Sequence, residues 1–178
     1  MQTELIKETD NDVIQTLRTA HQNQTQLNLM ADQKANILIG TLVLMFTVIF
    51  TRLLTLVEYS DQNLLPIIVF ILLELIPLVL TTLVLIPKNI SGNKSIKIEQ
   101  MPNPLFFGFF TQFSESEYLT FINSKLKSNE SARELLIIDI YEIGVILKRK
   151  YSLLRSAYIF SMIGIIVPVV IWAIMALI

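Results

Sequence analysis

Residues Leu64–Pro87 read LLPIIVFILLELIPLVLTTLVLIP, a stretch of 24 residues with a single charged side chain, that of Glu74. The hydrocarbon core of a bilayer is about 30 Å thick, and a helix needs roughly 20 apolar residues to cross it. Two further stretches have the same character: residues 37–57 are uncharged except for Arg52, and residues 156–178 carry no charge. The sequence therefore predicts an all-α membrane protein with three transmembrane helices.

The composition limits the kinds of protein that the chain can be. It has 178 residues, 53% of them hydrophobic, and a net charge of -1. Three spans leave room for one modest helical domain but not for a large enzyme module. A chain without cysteine and with one histidine, His21, offers no disulfide, no thiolate and no ordinary zinc site. We expect no metal, no cofactor and no nucleic-acid partner.

The distribution of basic residues predicts the orientation in the membrane, because cytoplasmic segments carry an excess of Lys and Arg. The short segment 58–63, between the first two spans, has Glu58 and Asp61 but no basic residue. The N-terminal segment, although acidic in net charge, and the long segment 88–155 contain the Lys and Arg residues outside the spans. We therefore expect both to be cytoplasmic, and we expect no cleavable signal peptide. The basic residues are Lys7, Arg18 and Lys34 in the first, and Lys88, Lys94, Lys97, Lys125, Lys127, Arg133, Lys148, Arg149, Lys150 and Arg155 in the second.

These patterns divide the chain into six predicted segments. They are a cytoplasmic N-terminal helical extension at 1–35, transmembrane helix one at 36–57, an external loop at 58–65, transmembrane helix two at 66–87, a cytoplasmic helical segment at 88–155 and transmembrane helix three at 156–178.

Capping residues and the absence of helix breakers predict the helices outside the membrane. One helix should run from about Asp12 through Val57, since no Gly or Pro interrupts it before Gly40. Its cytoplasmic part would be marginal alone in water, so it needs another helix or another subunit. The pattern Ser-x-x-Glu at 114–117 predicts a short helix to about residue 126. The same pattern at 131–134 predicts a helix that continues through residue 155 into the third span.

Arg52 and Glu74 are the charged residues within the predicted spans. Residue positions place them roughly 8 Å and 12 Å from the outer ends of neighbouring antiparallel spans. Ionisable groups in a span are costly and usually face protein or water. They could form a gating pair, or Arg52 could reach the interface while Glu74 makes a structural contact.

Two further groups of residues allow more than one interpretation. The aromatic stretch Asn103–Phe110, NPLFFGFF, could lie at the lipid interface, pack into the cytoplasmic core or stack on a ligand. Asp139 and Glu142 lie on one helical stripe, where an exposed ion-pair stripe is favoured over a paired-carboxylate site. Neither group predicts catalysis, and the sequence contains no glycine-rich phosphate loop and no nucleophile motif. We therefore expect that the chain is not an enzyme.

Three blocks of the sequence resemble the membrane domain of Pycsar effectors, which are membrane proteins of bacterial anti-phage defence. The blocks are MADQKANILIG at 30–40, NPLFFG at 103–108 continuing to 119, and DIY at 139–141 with KYSLLRSAY at 150–158. The resemblance implies that a separate cyclase makes a cyclic pyrimidine mononucleotide, cCMP or cUMP, on infection. The effector, in the inner membrane, responds by impairing that membrane, which causes abortive infection.

The resemblance implies a cyclic-nucleotide site but does not place it. Such a site needs a basic or backbone donor for the phosphate, an aromatic face, and amide or carboxylate groups for the base. The three blocks also fit a collar that only packs, and basic residues beside a span also contact anionic lipid. The candidates are Asp32, Lys34, Asn36, Asn103, Phe106, Phe107, Arg149, Lys150, Tyr151 and Arg155, with Arg52 and Glu74 as gate candidates.

We expect a homo-oligomer in which the ligand changes the arrangement of the spans. A membrane anchor that docks a separate enzyme, without a leak of its own, is the alternative. A small transporter is a third, which the lack of an inverted repeat disfavours.

Overall fold

The computed structural model describes the backbone of residues 2–59, 64–87 and 97–177, and the side chains of residues 12–54, 64–87 and 97–177. Every regular element in these ranges is helical, so the all-α prediction is confirmed. The elements are α1 (Gln2–Tyr59), α2 (Leu64–Leu85), the 3₁₀ turn Ile98–Gln100, α3 (Phe107–Phe110), α4 (Glu115–Lys125) and α5 (Asn129–Leu177).

Three of these helices are long enough and apolar enough to cross a membrane, by length and composition. They are α2 as a whole and apolar parts of α1 and α5, so the prediction of three long apolar helices that could span a membrane is confirmed. The predicted continuity of one helix through residues 12–57 is confirmed, but its predicted start at about Asp12 is wrong, since α1 begins at Gln2. Of the predicted external loop at 58–65, residues 60–63 lie outside the described residues, as do residues 88–96 of the predicted cytoplasmic segment. The first two residues of that predicted loop belong to α1 and the last two to α2.

The chain divides into two compact units, each built from two separate parts of the sequence. Unit 1 comprises Met1–Asn28 with Pro87–Leu147, and unit 2 comprises Leu29–Ile86 with Lys148–Ile178. Both α1 and α5 contribute residues to each unit.

Unit 2 contains a narrow core between three helices, each of which buries one stripe. On α2 the buried positions recur at intervals of three or four residues, as a helix with one covered face requires: Pro66, Phe70, Glu74, Pro77, Thr81 and Val84. The α1 stripe includes Ala31 and Ala35, and the α5 stripe includes Leu154 and Ala157. Small buried residues let helix backbones approach closely, which is common between membrane helices. The large apolar side chains elsewhere on these helices are exposed, as expected of a surface that faces lipid.

In unit 1, local signals define where α4 begins. Ser114 is the N-cap of α4: its hydroxyl accepts from the backbone N–H of Glu117, whose carboxylate accepts from the backbone N–H of Ser114. The predicted capping box at 114–117 is therefore confirmed.

The predicted N-cap of the next helix at Ser131 is wrong by three residues. Helix α5 begins at Asn129, and the backbone N–H of Ser131 donates to the Ser128 hydroxyl at 3.1 Å. Ser128 acts as the cap because it stands three residues before a free helical N–H, the same spacing that Ser131 has to Glu134.

Candidate functional site

In unit 2, α1 and α5 bring together residues of the first and third blocks. Lys150 Nζ lies 2.6 Å from Asp32 Oδ1, and both side chains are partly buried. Lys34 Nζ lies over the ring of Tyr151, 5.6 Å from its centroid, a distance at which a cation is attracted to an aromatic face. These two contacts place two cations, a carboxylate and an aromatic ring at one level of the α1–α5 pair.

The remaining candidates of these two blocks lie on the same helices and are exposed. They are Asn36 on α1, and Arg149 and Arg155 on α5. We call the seven residues of unit 2 the basic set: Asp32, Lys34, Asn36, Arg149, Lys150, Tyr151 and Arg155. The basic set has four cationic side chains and one carboxylate, and it therefore suits an anionic ligand with a flat ring.

In unit 1, the candidate Asn103 is fully buried and holds a polar network. Its amide nitrogen donates to Asp139 Oδ1 at 2.8 Å and to Glu142 Oε2 at 3.2 Å. Its amide oxygen accepts from the backbone N–H of Leu105 at 3.0 Å. Both amide hydrogens are thus used within the protein, and this geometry ties the NPLFFG segment to α5.

The expected exposed stripe of Asp139 and Glu142 is wrong. Asp139 is only 7% exposed, and its second oxygen lies 2.7 Å from His21 Nε2 of α1. The stripe is covered because Asn103 and His21, which come from distant parts of the sequence, pack onto that side of α5. A pattern within one helix could not show which of its polar sides would acquire such partners.

The aromatic segment of unit 1 is partly packed and partly exposed. Phe106 packs against the rings of Phe107 and Phe109, and Phe110 stacks on Tyr118 with centroids 4.8 Å apart. The Tyr118 hydroxyl donates to the carbonyl of Pro104 at 3.0 Å, which fastens the segment to α4. Phe107 is 67% exposed, so its ring is not part of the core of this unit. The three blocks therefore fall into two groups, and a site shared by all three stays a prediction.

Unit 1 also contains a groove, which lies between the 3₁₀ turn and α4. Its volume is about 680 Å³, which is large enough for a small molecule, and its lining combines polar side chains with the apolar Ile98 and Phe121. Its charged residues are Glu99, Glu117 and Lys125. With two carboxylates against one ammonium group, this groove suits an anion less well than the basic set does.

The gate candidates of unit 2 differ in their surroundings. The Arg52 side chain is exposed, whereas Glu74 is fully buried. Neither carboxylate oxygen of Glu74 makes a well-formed hydrogen bond with the described residues. On α5, a Cβ added at Gly164 would lie 2.6 Å from Glu74 Oε1. The sequence did not single out Gly164 or His21, since their roles depend on the register of packed helices.

Within the described ranges, no group of three or more His, Cys, Asp or Glu residues could hold a metal ion. What the fold defines is a membrane protein with three apolar helices, in which α1 and α5 also extend into a polar helical unit.

Residues 15–177 match the family model of the Pycsar effector protein domain, and the chain belongs to this family. The match includes every candidate residue described above and supports a role as a Pycsar anti-phage effector. No curated protein and no solved structure matches the chain.

Proposed function

We propose that this protein is a membrane effector that responds to a cyclic pyrimidine mononucleotide, cCMP or cUMP, by making the bacterial inner membrane leaky. The observation that carries the proposal is the family match over residues 15–177, which covers the three apolar helices and all three blocks. The effector is not an enzyme in this proposal. A cyclase acts on it only through its nucleotide product, and the leak stops phage replication together with the cell.

The proposed orientation follows the basic residues. The N-terminus and residues 88–155 face the cytoplasm, so the basic set lies at the cytoplasmic ends of the first and third spans. A nucleotide made in the cytoplasm can then reach it without crossing the membrane.

The basic set supplies the chemistry that such a ligand needs. Arg149 and Arg155 are exposed and offer guanidinium donors to the single phosphate charge. The Tyr151 ring provides an aromatic face for the base, and Lys34 Nζ, which lies over the same ring, adds a positive charge beside it. Asp32 and Asn36 on α1 can read donors and acceptors of a pyrimidine. Asn103 has a structural role in this proposal, because its amide hydrogens already bind Asp139 and Glu142.

Binding produces the leak by changing the relative stability of two arrangements of a homo-oligomer. The ligand shifts that equilibrium only as far as its affinity differs between them. A site shared by α1 and α5 is suited to this, since both helices continue into apolar spans.

The test is dye leakage from liposomes that contain only this purified protein, with cCMP, cUMP, cAMP and cGMP added in turn. We expect leakage with one or both pyrimidine nucleotides and none with the purine nucleotides. Arg155→Ala should abolish the response, while Lys125→Ala, which removes the ammonium group that lines the unit 1 groove, should leave it intact. The reverse result would move the ligand to the groove. No leakage from folded protein would favour a membrane anchor for a separate enzyme.

A further inference from the structure

Glu74 is the least expected residue in the core of unit 2. Its side chain is 0% exposed between apolar helices, and its two carboxylate oxygens make no well-formed hydrogen bond in the part of the chain that the structure describes, although the Ser161 side chain of α5 lies beside them. A buried charge without a partner is costly, and an ionisable residue in a span usually has a function. Packing alone would be served better by leucine, so the carboxyl group needs an explanation that packing does not give.

The surroundings of Glu74 fit the carboxyl group closely on one side. A Cβ on Gly164 would lie 2.6 Å from Oε1 and 2.9 Å from Cδ, so no residue larger than glycine fits without displacing Glu74. Ser161, one turn earlier on α5, is also buried. On α2 the buried Thr81 hydroxyl is already used, since it donates to the carbonyl of Pro77 at 2.7 Å. Gly164 thus forms a seat for Glu74 on α5.

We propose that Glu74 is the residue that makes the leak cation-selective, and that its seat at Gly164 keeps it out of the path while the protein is closed. This inference rests on the proposed function, because it presupposes a leak. When α2 and α5 separate, the carboxyl group leaves Gly164 and meets water. Acidic side chains that line a narrow membrane path attract cations and repel anions. A homo-oligomer would supply one such residue from every subunit.

The first experiment measures selectivity in planar bilayers that hold the purified protein under a KCl gradient, with cCMP or cUMP added. We expect a current that K⁺ carries in preference to Cl⁻. In Glu74→Gln, which preserves the size of the side chain, the permeability ratio should fall severalfold toward equal permeability while the nucleotide still opens the path. An unchanged ratio in Glu74→Gln would overturn the inference and leave the proposed function intact.

The second experiment needs no nucleotide. Gly164→Leu fills the seat, so α2 and α5 cannot pack as they do here, and it should conduct cations without ligand. The matched control is Gly40→Leu on α1, where an added Cβ meets nothing within 4 Å and no current is expected. Adding Glu74→Gln to Gly164→Leu should keep the current and remove its selectivity.

These variants separate the two hypotheses. If neither nucleotide opens the wild type but Gly164→Leu conducts cations selectively, the proposed response to these nucleotides fails, whereas the leak and the role of Glu74 in its selectivity stand. If Gly164→Leu shows no current, or one without selectivity, the inference fails. Circular dichroism and gel filtration check that the variants fold. If Gly164→Leu does not fold, Gly164→Ala replaces it in the experiment. The Cβ of alanine overlaps only with the outer atoms of the Glu74 side chain, which can move aside.

Discussion

Lys150 Nζ and Asp32 Oδ1 lie 2.6 Å apart, which joins the first block of α1 to the third block of α5. The next residue of α5 is Tyr151, whose ring lies under Lys34 of α1. The same short stretches that resemble the effector family are thus in contact, and each contact pairs a polar or charged group of one helix with a group of the other.

Exchanging the charges of Asp32 and Lys150 should show that this ion pair stabilises the packing of α1 against α5. Asp32→Lys places two ammonium groups side by side, and we expect it to lower the free energy of unfolding by about 1 kcal/mol, a modest value because both side chains are partly exposed. Asp32→Lys with Lys150→Asp should recover most of that loss. Thermal unfolding in detergent measures both. A double variant as unstable as the single one would show that the pair contributes nothing to folding.

Tyr151 tests the ligand role of the basic set. Tyr151→Phe keeps the aromatic face and should retain cyclic-nucleotide binding, whereas Tyr151→Leu removes the aromatic face. Since stacking of a base on an aromatic ring is worth about 1–3 kcal/mol, Tyr151→Leu should weaken binding by about fivefold to a hundredfold. Isothermal titration with cCMP and cUMP gives the dissociation constants. Equal affinities in the two variants would remove Tyr151 from the proposed site.

Asn103 makes a prediction about stability, not about ligand binding. Asn103→Ala leaves Asp139 Oδ1 and the backbone N–H of Leu105 without their partner in a buried place, so we expect a loss of about 2 kcal/mol in the free energy of unfolding. Asn123→Ala, an exposed position on α4, is the control and should change stability little. An Asn103→Ala protein as stable as the control would mean that water replaces the amide at no cost.

Much of the fold could be predicted from the sequence, because its signals are local. Apolar runs that are long enough, as helices, to cross a bilayer define α2 and the apolar parts of α1 and α5, and a capping box defines the start of α4. The start of α5 was misplaced because Ser128 and Ser131 both have residue types and spacings suited to a cap. Local rules do not decide between two neighbouring serines.

The contacts between distant segments could not be predicted in the same way. That Asp139 is buried depends on His21, which lies 118 residues earlier, and that Glu74 is seated depends on Gly164, 90 residues later. Such pairs are set by the register in which helices pack, and the pattern of a single helix contains no information on it. The basic set was found because its blocks resemble a family.

The capping box of α4 predicts how this part of unit 1 responds to acid. Hydrogen bonds from the Ser114 hydroxyl and its backbone N–H hold the pKa of Glu117 below the usual value of 4.5. A carboxyl group with a lowered pKa stabilises the folded state above the unfolded-state value, and this contribution is lost as the pH falls through the folded-state value. Amides of the first turn of α4 should therefore exchange faster, relative to the rest of unit 1, as the pH is lowered below 4.5. Hydrogen exchange read by mass spectrometry measures this. The side chain in Glu117→Gln cannot titrate, so in this variant the first-turn amides of α4 should exchange faster than the rest of unit 1 by the same factor at every pH. If that factor still changed with pH, the effect would belong to another titratable group.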